Sequence, residues 1–311
     1  MLPHSLVINS SSKIDPTRTT GLRARFVRDM NRRFATLKKD IRISIVDNDC
    51  FGFRRLTTNA PVPDSFFAFM RDPEKVKAFM DWLRTQEAQG ILTIIHRPFS
   101  GGIEGAWTDT YIQTAYAHGI SRADAEMIRA KIDIPGVASG SGVSMAASQS
   151  FNLPMHADAL GVLYSRTFED LKSVTSVMNA AIQRTISDGL RSGLSQGMAQ
   201  GLGPDQIARN LMKDVNNRVD AIGVNRARMI ARTETIRAHH VANIEEYRRA
   251  QADMQVTVQG EWLAADDACD QCAELNGKIF SLDEIEGMLP YHPNCRCACA
   301  PYIESVSSEA A

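Results

Sequence analysis

Five of the six cysteines of this 311-residue chain fall in one stretch, CDQCAELNGKIFSLDEIEGMLPYHPNCRCAC, residues 269–299; Cys50 stands alone. Cys269-x2-Cys272 is a knuckle spacing, which lets two thiolates converge on one metal from a tight turn. His292-x2-Cys295-x-Cys297 follows after an insert, and His292 and Cys295 can approach the same metal from a second turn. Two turns meeting at one ion close a loop, as in treble-clef or ribbon-like zinc sites. The expected ligands are Cys269, Cys272 and His292, with Cys295 or Cys297 as the fourth, and Cys299 is surplus. The alternatives are reduced, unliganded cysteines or a disulfide pair. A closed four-ligand site is structural, because a catalytic zinc keeps one position open for water. The chain also lacks both HExxH and the deaminase pattern of His-x-Glu followed by Pro-Cys-x-x-Cys. Ser281 and Glu284 match a capping box, so a short helix is expected inside the insert. His239 and His240 are neighbours on a helix, make a poor metal pair, and are expected to be partly exposed.

The remaining chain is read as helical. An apolar content of 44% and a charged content of 23% are ordinary for a soluble protein, and the length allows two or three modest cores. The opening MLPHSLVINSSSK has neither the basic start nor the long apolar run of a secretory signal. No stretch approaches the roughly 20 apolar residues of a membrane helix, so no membrane anchor is expected. The chain is therefore read as made in a reducing cytoplasm, where clustered cysteines bind metal more often than they pair.

Four segments are expected: an arm and basic amphipathic helix (1–60), a helical region (61–150), a long-helix core region (151–250) and a zinc-binding module (251–311). In the first, Leu22, Phe26, Met30, Phe34, Leu37, Ile41 and Ile45 make one apolar stripe. Around it Arg18, Arg23, Arg25, Arg28, Arg32, Arg33, Lys38, Lys39 and Arg42 stand against only Asp29 and Asp40. This is either the solvated face of a packed helix or a surface for DNA phosphates or an acidic protein. The net charge of −1 gives no global reason to bind nucleic acid.

DPEKVKAFMDWLRTQEAQG reads as a helix from Pro73 to Gly90 with Val76, Phe79, Met80 and Leu83 inward. ILTII is undecided between strand and helix, and GGIEG reads as a loop. Residues 107–131 read as helical with Ile112, Tyr116 and Ile120 on one side, and the Gly/Ser-rich run 136–150 as a break. From about residue 157 a long helix carries Leu171, Val174, Met178, Ile182, Ile186 and Leu190. Gly189, Gly193, Gly197 and Gly201 then recur every four residues, either for a close helix contact or in a segment that frays. Residues 204–215 and 220–250 read as further helices, the second with one stripe through Ile222, Arg226, Met229 or Ile230, Thr233, Val241, Ile244 and Tyr247. QVTVQGEW reads as a half-buried strand.

The order ARTETIRAHHVANIEEYRRA, then EWLAADDACDQCAELNGKIF, then PYHPNCRC resembles the phage Mu F-like minor head proteins, also called phage head morphogenesis proteins. The likeness covers about residues 185–302, and DPTRTTGLRARFVRDMNRRF looks like the opening of longer members. Many relatives carry an Arg before the first cysteine where this chain reads Asp266-Asp267-Ala268, so the role of that Arg is not carried over. The resemblance implies a low-copy virion protein at the portal vertex or capsid interior, present in the host cytoplasm during assembly. Its implied partners are the portal protein and other head proteins, with packaged DNA as a further contact, and no enzymatic activity is implied. Arg228, Arg232, Thr233 and Glu234 form the family's polar helical signature, with Glu234 expected to pair with Arg237 or Arg226. The expected fold class is mainly α: a helical body with a small α+β zinc-stabilised C-terminal module. Arg23, Arg25, Arg28, Arg32, Arg33, Lys38 and Lys39 are the expected contacts to portal or nucleic acid. The rival reading is a zinc-stapled nuclease using His292 and Asn294.

Overall fold

The apolar stripe from Leu22 to Ile45 is continuous, and it forms one buried face. In the computed structural model, which describes residues 15–54, 73–96, 104–129 and 153–303, all seven stripe residues are buried. They sit on α1 (Thr20–Arg42) and the π-helical turn Ile43–Asp47 that ends it. There follow α2 (Pro73–Gly90), β1 (Ile94–His96), β2 (Glu104–Ala106), α3 (Asp109–Arg129) and the long α4 (Pro154–Ala199). Next are α5 (Pro204–Arg218), a second π-helical turn (Val219–Val224) and α6 (Asn225–Met254). The C-terminal elements are β3 (Val258–Leu263), α7 (Asp270–Ala273), β4 (Ile279–Ser281), α8 (Leu282–Glu286) and β5 (Ala298–Ile303). The chain is thus mainly helical, with strands concentrated at the C-terminal end.

Two compact units form, each from stretches far apart in sequence. One gathers the described residues within Met1–Phe26, Thr108–Thr167 and Met229–Ala311; the other gathers those within Val27–Trp107 and Phe168–Arg228. The Gly/Ser-rich run 136–150 and the arm 1–14 lie outside the described residues.

In the second unit the stripes of α2 and α4 are buried where the spacing places them. The first three residues of ILTII make the turn after α2, and only Ile94 and Ile95 are strand, in Ile94–His96, which pairs antiparallel with Glu104–Ala106. This corrects the loop reading of GGIEG: its last two residues are in β2, a three-residue strand too short to leave an alternating pattern. Arg33 is tied into this region. Its guanidinium lies 4.0 Å from the centre of the Trp107 ring and donates to Thr93 Oγ1 at 3.2 Å. Gly189 faces Leu211 of α5: a Cβ there would stand 2.6 Å from Leu211 Cδ1. That is the close contact the glycine spacing allows, at this position. Gly193 and Gly197 continue the helix backbone, but their surroundings lie outside the described residues.

In the first unit α3 and α6 come together at Gly119. A Cβ there would run into the carbonyl oxygen of His239 and stand 2.6 Å from Ala242 Cβ. The Asn243 amide donates to the carbonyls of Gly119 (2.8 Å) and His239 (3.1 Å), locking the approach. Gly119→Ala forces backbone to move, because a carbonyl oxygen cannot swing away like a side-chain tip. We expect a loss of about 1–3 kcal/mol in denaturant unfolding, whereas Gly161→Ala, with open space around it, should be neutral or slightly stabilising.

The single stripe expected on α6 is corrected by the structure. From Ile230 to Tyr247 the helix is buried nearly all round, including Glu234, His239, His240, Asn243 and Glu246. His239 and His240 are each 2% exposed, not partly exposed. Burial pushes the His240 imidazole down to about 4, and Nε2 sits 2.9 Å from the Ile285 carbonyl, so the neutral ring donates into the C-terminal region. The polar side chains of α6 are bound to their neighbours: Tyr247 donates to Glu126 at 2.7 Å, and Glu246 accepts from Arg249 Nε at 2.7 Å.

Candidate metal centre

The C-terminal sheet has the order β4-β3-β5, antiparallel throughout, with Gln259 opposite both Ser281 and Tyr302. The expected face of β3 is inward, Val258 and Trp262 being buried. This sheet is not a separate core. Trp262, Ile285, Leu289 and Cys299 join one apolar cluster with Met127 of α3 and Ile244, Tyr247 and Ala250 of α6. Arg248 of α6 adds a polar clamp, donating to Asp283 (2.7 Å) and Glu286 (2.8 Å) of α8.

Local signals then shape two turns. After β3, Asn276 Oδ1 accepts from Ala264 N at 2.9 Å, and Gly277 takes φ 76° so that its N–H reaches Trp262 O at 2.9 Å. The Leu-Asn-Gly sequence thereby folds the knuckle segment back on the strand. Cys269 precedes α7, and Ala273 N closes the turn onto Cys269 O at 2.9 Å. Ser281 and Glu284 form the full capping box of α8. In the second turn Cys295 N bonds His292 O at 3.0 Å, and Asn294 is left-handed at φ 64°, a conformation Asn tolerates well. The Asn294 N–H donates to Thr233 Oγ1 of α6 at 3.3 Å. Arg296 pairs with Asp267, tying the second turn to the approach of the first.

These turns bring the metal-ligating atoms together in two groups. Cys269, Cys272 and His292 form one; Cys272, Cys295 and Cys297 form the other. His292 Nε2 lies 3.3 Å from Cys269 Sγ and 3.2 Å from Cys272 Sγ, and Cys272 Sγ lies 3.9 Å from Cys295 Sγ. Around a tetrahedral zinc, sulfurs at about 2.3 Å and a nitrogen at about 2.0 Å would stand roughly 3.5–3.8 Å from one another. The donor set and its spacing therefore suit such an ion. The histidine is oriented for it too: Nδ1 is 2.9 Å from the Pro293 carbonyl and donates there, which leaves the Nε2 lone pair facing the sulfurs.

Cys269 is exposed and His292 half-buried, while Cys272, Cys295 and Cys297 are buried. Burial pushes the Cys272 thiol up to about 12, so a thiolate there needs a cation beside it. Cys297 donates to Cys295, which brings Cys295 down to about 5 and raises Cys297. Cys299 stands apart: its Sγ packs where a Cβ on Gly260 would come within 2.7 Å, so it fills core on β5. Cys50 lies in neither group.

Residues 188–300 match the family model described as phage Mu protein F like protein. Over that stretch, about a third of its length, the chain is similar to that family. No curated protein and no solved structure matches the chain. The matched region contains both turns, α5, all of α6 and the first half of β5. Its polar signature is distributed among separate tasks. Glu234 pairs with Arg237 at 3.1 Å, as expected, and with Arg166 at 3.4 Å. Arg228 donates to Asn31 Oδ1 at 2.6 Å, and Thr233 receives the His-Pro-Asn-Cys turn. Thr233 and Asn294 are the positioning pair that spacing alone does not reveal; the only hint is an Asn where a turn needs a left-handed residue.

The basic residues expected to make contacts divide. Arg23 is buried and pairs with Asp15 at 3.0 Å, and Arg33 is held at Trp107, so both are taken out of the contact surface. Arg32 pairs with Asp29, and Lys38 with Asp220 at 2.7 Å. Arg25, Arg28 and Lys39 are exposed. A basic stripe in sequence thus contains structural cations, because α1 is packed on more than its apolar face. Among the described residues no helix is long and apolar enough to cross a membrane.

Proposed function

We propose that the protein is a phage minor head protein that joins the virion at the portal vertex and assists head morphogenesis. The match of residues 188–300 to the phage Mu protein F like family carries this reading. The cysteine cluster holds a structural zinc ion through Cys269, Cys272, His292 and Cys295, and the ion's contribution is to keep the two turns together. His292 spends its Nε2 on the cluster, which weighs against a nuclease using it as a base. Purified protein with added magnesium or manganese should leave duplex and single-stranded DNA uncut; cleavage that disappears with a His292 substitution would revive the enzyme reading.

Recruitment would run through the exposed cations of α1 to an acidic surface of the portal or to DNA phosphates. Reversing Arg25, Arg28 and Lys39 to Glu should reduce incorporation at least tenfold while circular dichroism stays unchanged. Quantitative mass spectrometry of purified particles makes the comparison. Wild-type chain missing from particles would defeat the head-protein reading, and undiminished incorporation of the variant would move the contact elsewhere on the chain.

A further inference from the structure

Five ligating side chains are too many for one tetrahedral ion, and Cys272 is the hinge between them. It is the one residue common to the two groups, Cys269–Cys272–His292 and Cys272–Cys295–Cys297. In each group the ligand atoms all lie within 4.8 Å of one another. One group opens at the exposed Cys269, while all three cysteines of the other are buried. We propose that the cluster takes two thiolate-loving cations, with Cys272 Sγ bridging them. This rests on the metal reading above and extends it. The zinc keeps Cys269, Cys272 and His292, and Cys295 passes from it to a second closed-shell cation, Zn2+ or Cu+, held with Cys272 and Cys297 in the inner group. A thiolate has lone pairs enough to ligate two metals, and an all-sulfur trigonal site suits soft cations.

Charge accounting points the same way. With Cys269, Cys272, Cys295 and Cys297 all ionised, one Zn2+ leaves two negative charges, most of them buried. Unpaired buried charge is costly. Arg296, which lies between Cys295 and Cys297 in sequence, is engaged with Asp267. A second Zn2+ in the inner group would cancel the excess, and a Cu+ would halve it. Cys299, whose Sγ lies against β3 at Gly260, supplies no ligand to either group.

The test counts ions on the intact full-length chain by native mass spectrometry, after growth with zinc and after titration of the metal-free protein with Zn2+ and, under reducing anaerobic conditions, with Cu+. Two ions per wild-type chain are expected. Cys297→Ser should fall to one and keep the outer ion, and Cys269→Ser should fall to one and keep the inner ion. Cys297→Ser should also remain folded by circular dichroism, so the count is read on native protein. One ion on wild type, unchanged in Cys297→Ser, would overturn the two-ion site and leave the single structural zinc standing. No ion on wild type would overturn both.

Discussion

Chelating the metal from the purified protein should strip amide-exchange protection from β3, β4 and β5 by at least a hundredfold, while α2 and the part of α4 after Phe168 keep theirs. The sheet is three short strands; outside the cluster, Arg296–Asp267 ties the second turn to the approach of the first, and Asn294 N–H anchors the second turn on Thr233 of α6. A segment this small has little core of its own, and a metal staple supplies what burial cannot. Structural zinc contributes on the order of 10 kcal/mol in the smallest domains that fold around it. Here part of that is replaced by the apolar cluster shared with α3 and α6, so the loss should be partial and should spread to the ends of those helices that join it. Cys272→Ser should reproduce the chelated state, because Cys272 touches both groups. Cys50→Ser, outside both, should stay within about 1 kcal/mol of wild type. Protein purified with zinc present that carries far less than half an equivalent of metal would defeat the prediction outright. So would unchanged exchange in Cys272→Ser.

Replacing Glu87 by Gln should stabilise the protein at pH 8 by about 3 kcal/mol and leave it unchanged at pH 4.5. Glu87 is 2% exposed, and burial lifts its carboxyl from 4.5 to about 7. Asn179 donates to Oε2 at 2.6 Å, while Oε1 has no partner and neither has Asn179 Oδ1. Arg84, whose charge pulls the other way, faces solvent and pairs with Asp81. The folded state therefore holds the Glu87 proton more tightly than the unfolded chain does. That contribution to stability is complete below pH 4.5 and is lost as pH rises through 7; a gap of about 2.5 pH units corresponds to roughly 3 kcal/mol. A Gln stays neutral throughout, and its amide can donate toward the unpartnered Asn179 Oδ1. The measurement is the difference in denaturant stability between variant and wild type across pH 4.5–8, which cancels other titrating groups. A difference that does not change with pH would show that Glu87 is ionised in the fold without penalty.

Spacing in the sequence determined most of the helical architecture and the residues of the cysteine–histidine cluster. Each long helix except α6 has one apolar face, and a period of three to four reports such a face directly, which is why the stripes of α1, α2, α3 and α4 are buried as read. The turns of the metal region are equally local: the capping box, the Leu-Asn-Gly turn and the two ligand spacings each act over a few residues. Tertiary structure decided what depends on partners distant in the chain. It buried α6 on nearly every side, giving His239, His240 and Glu246 interior positions that a polar, alanine-rich stretch does not announce. It withdrew Arg23 and Arg33 from a basic stripe by supplying Asp15 and Trp107. It gave Glu87 a buried site next to Asn179, 92 residues away. It also made Cys272 common to two ligand groups, since which sulfurs meet depends on how the second turn docks on Thr233 rather than on the spacing within either turn. Periodicity encodes the environment of a face against an unspecified neighbour; the identity of that neighbour, and hence the charge and ligation of a side chain, exists only once distant segments pack.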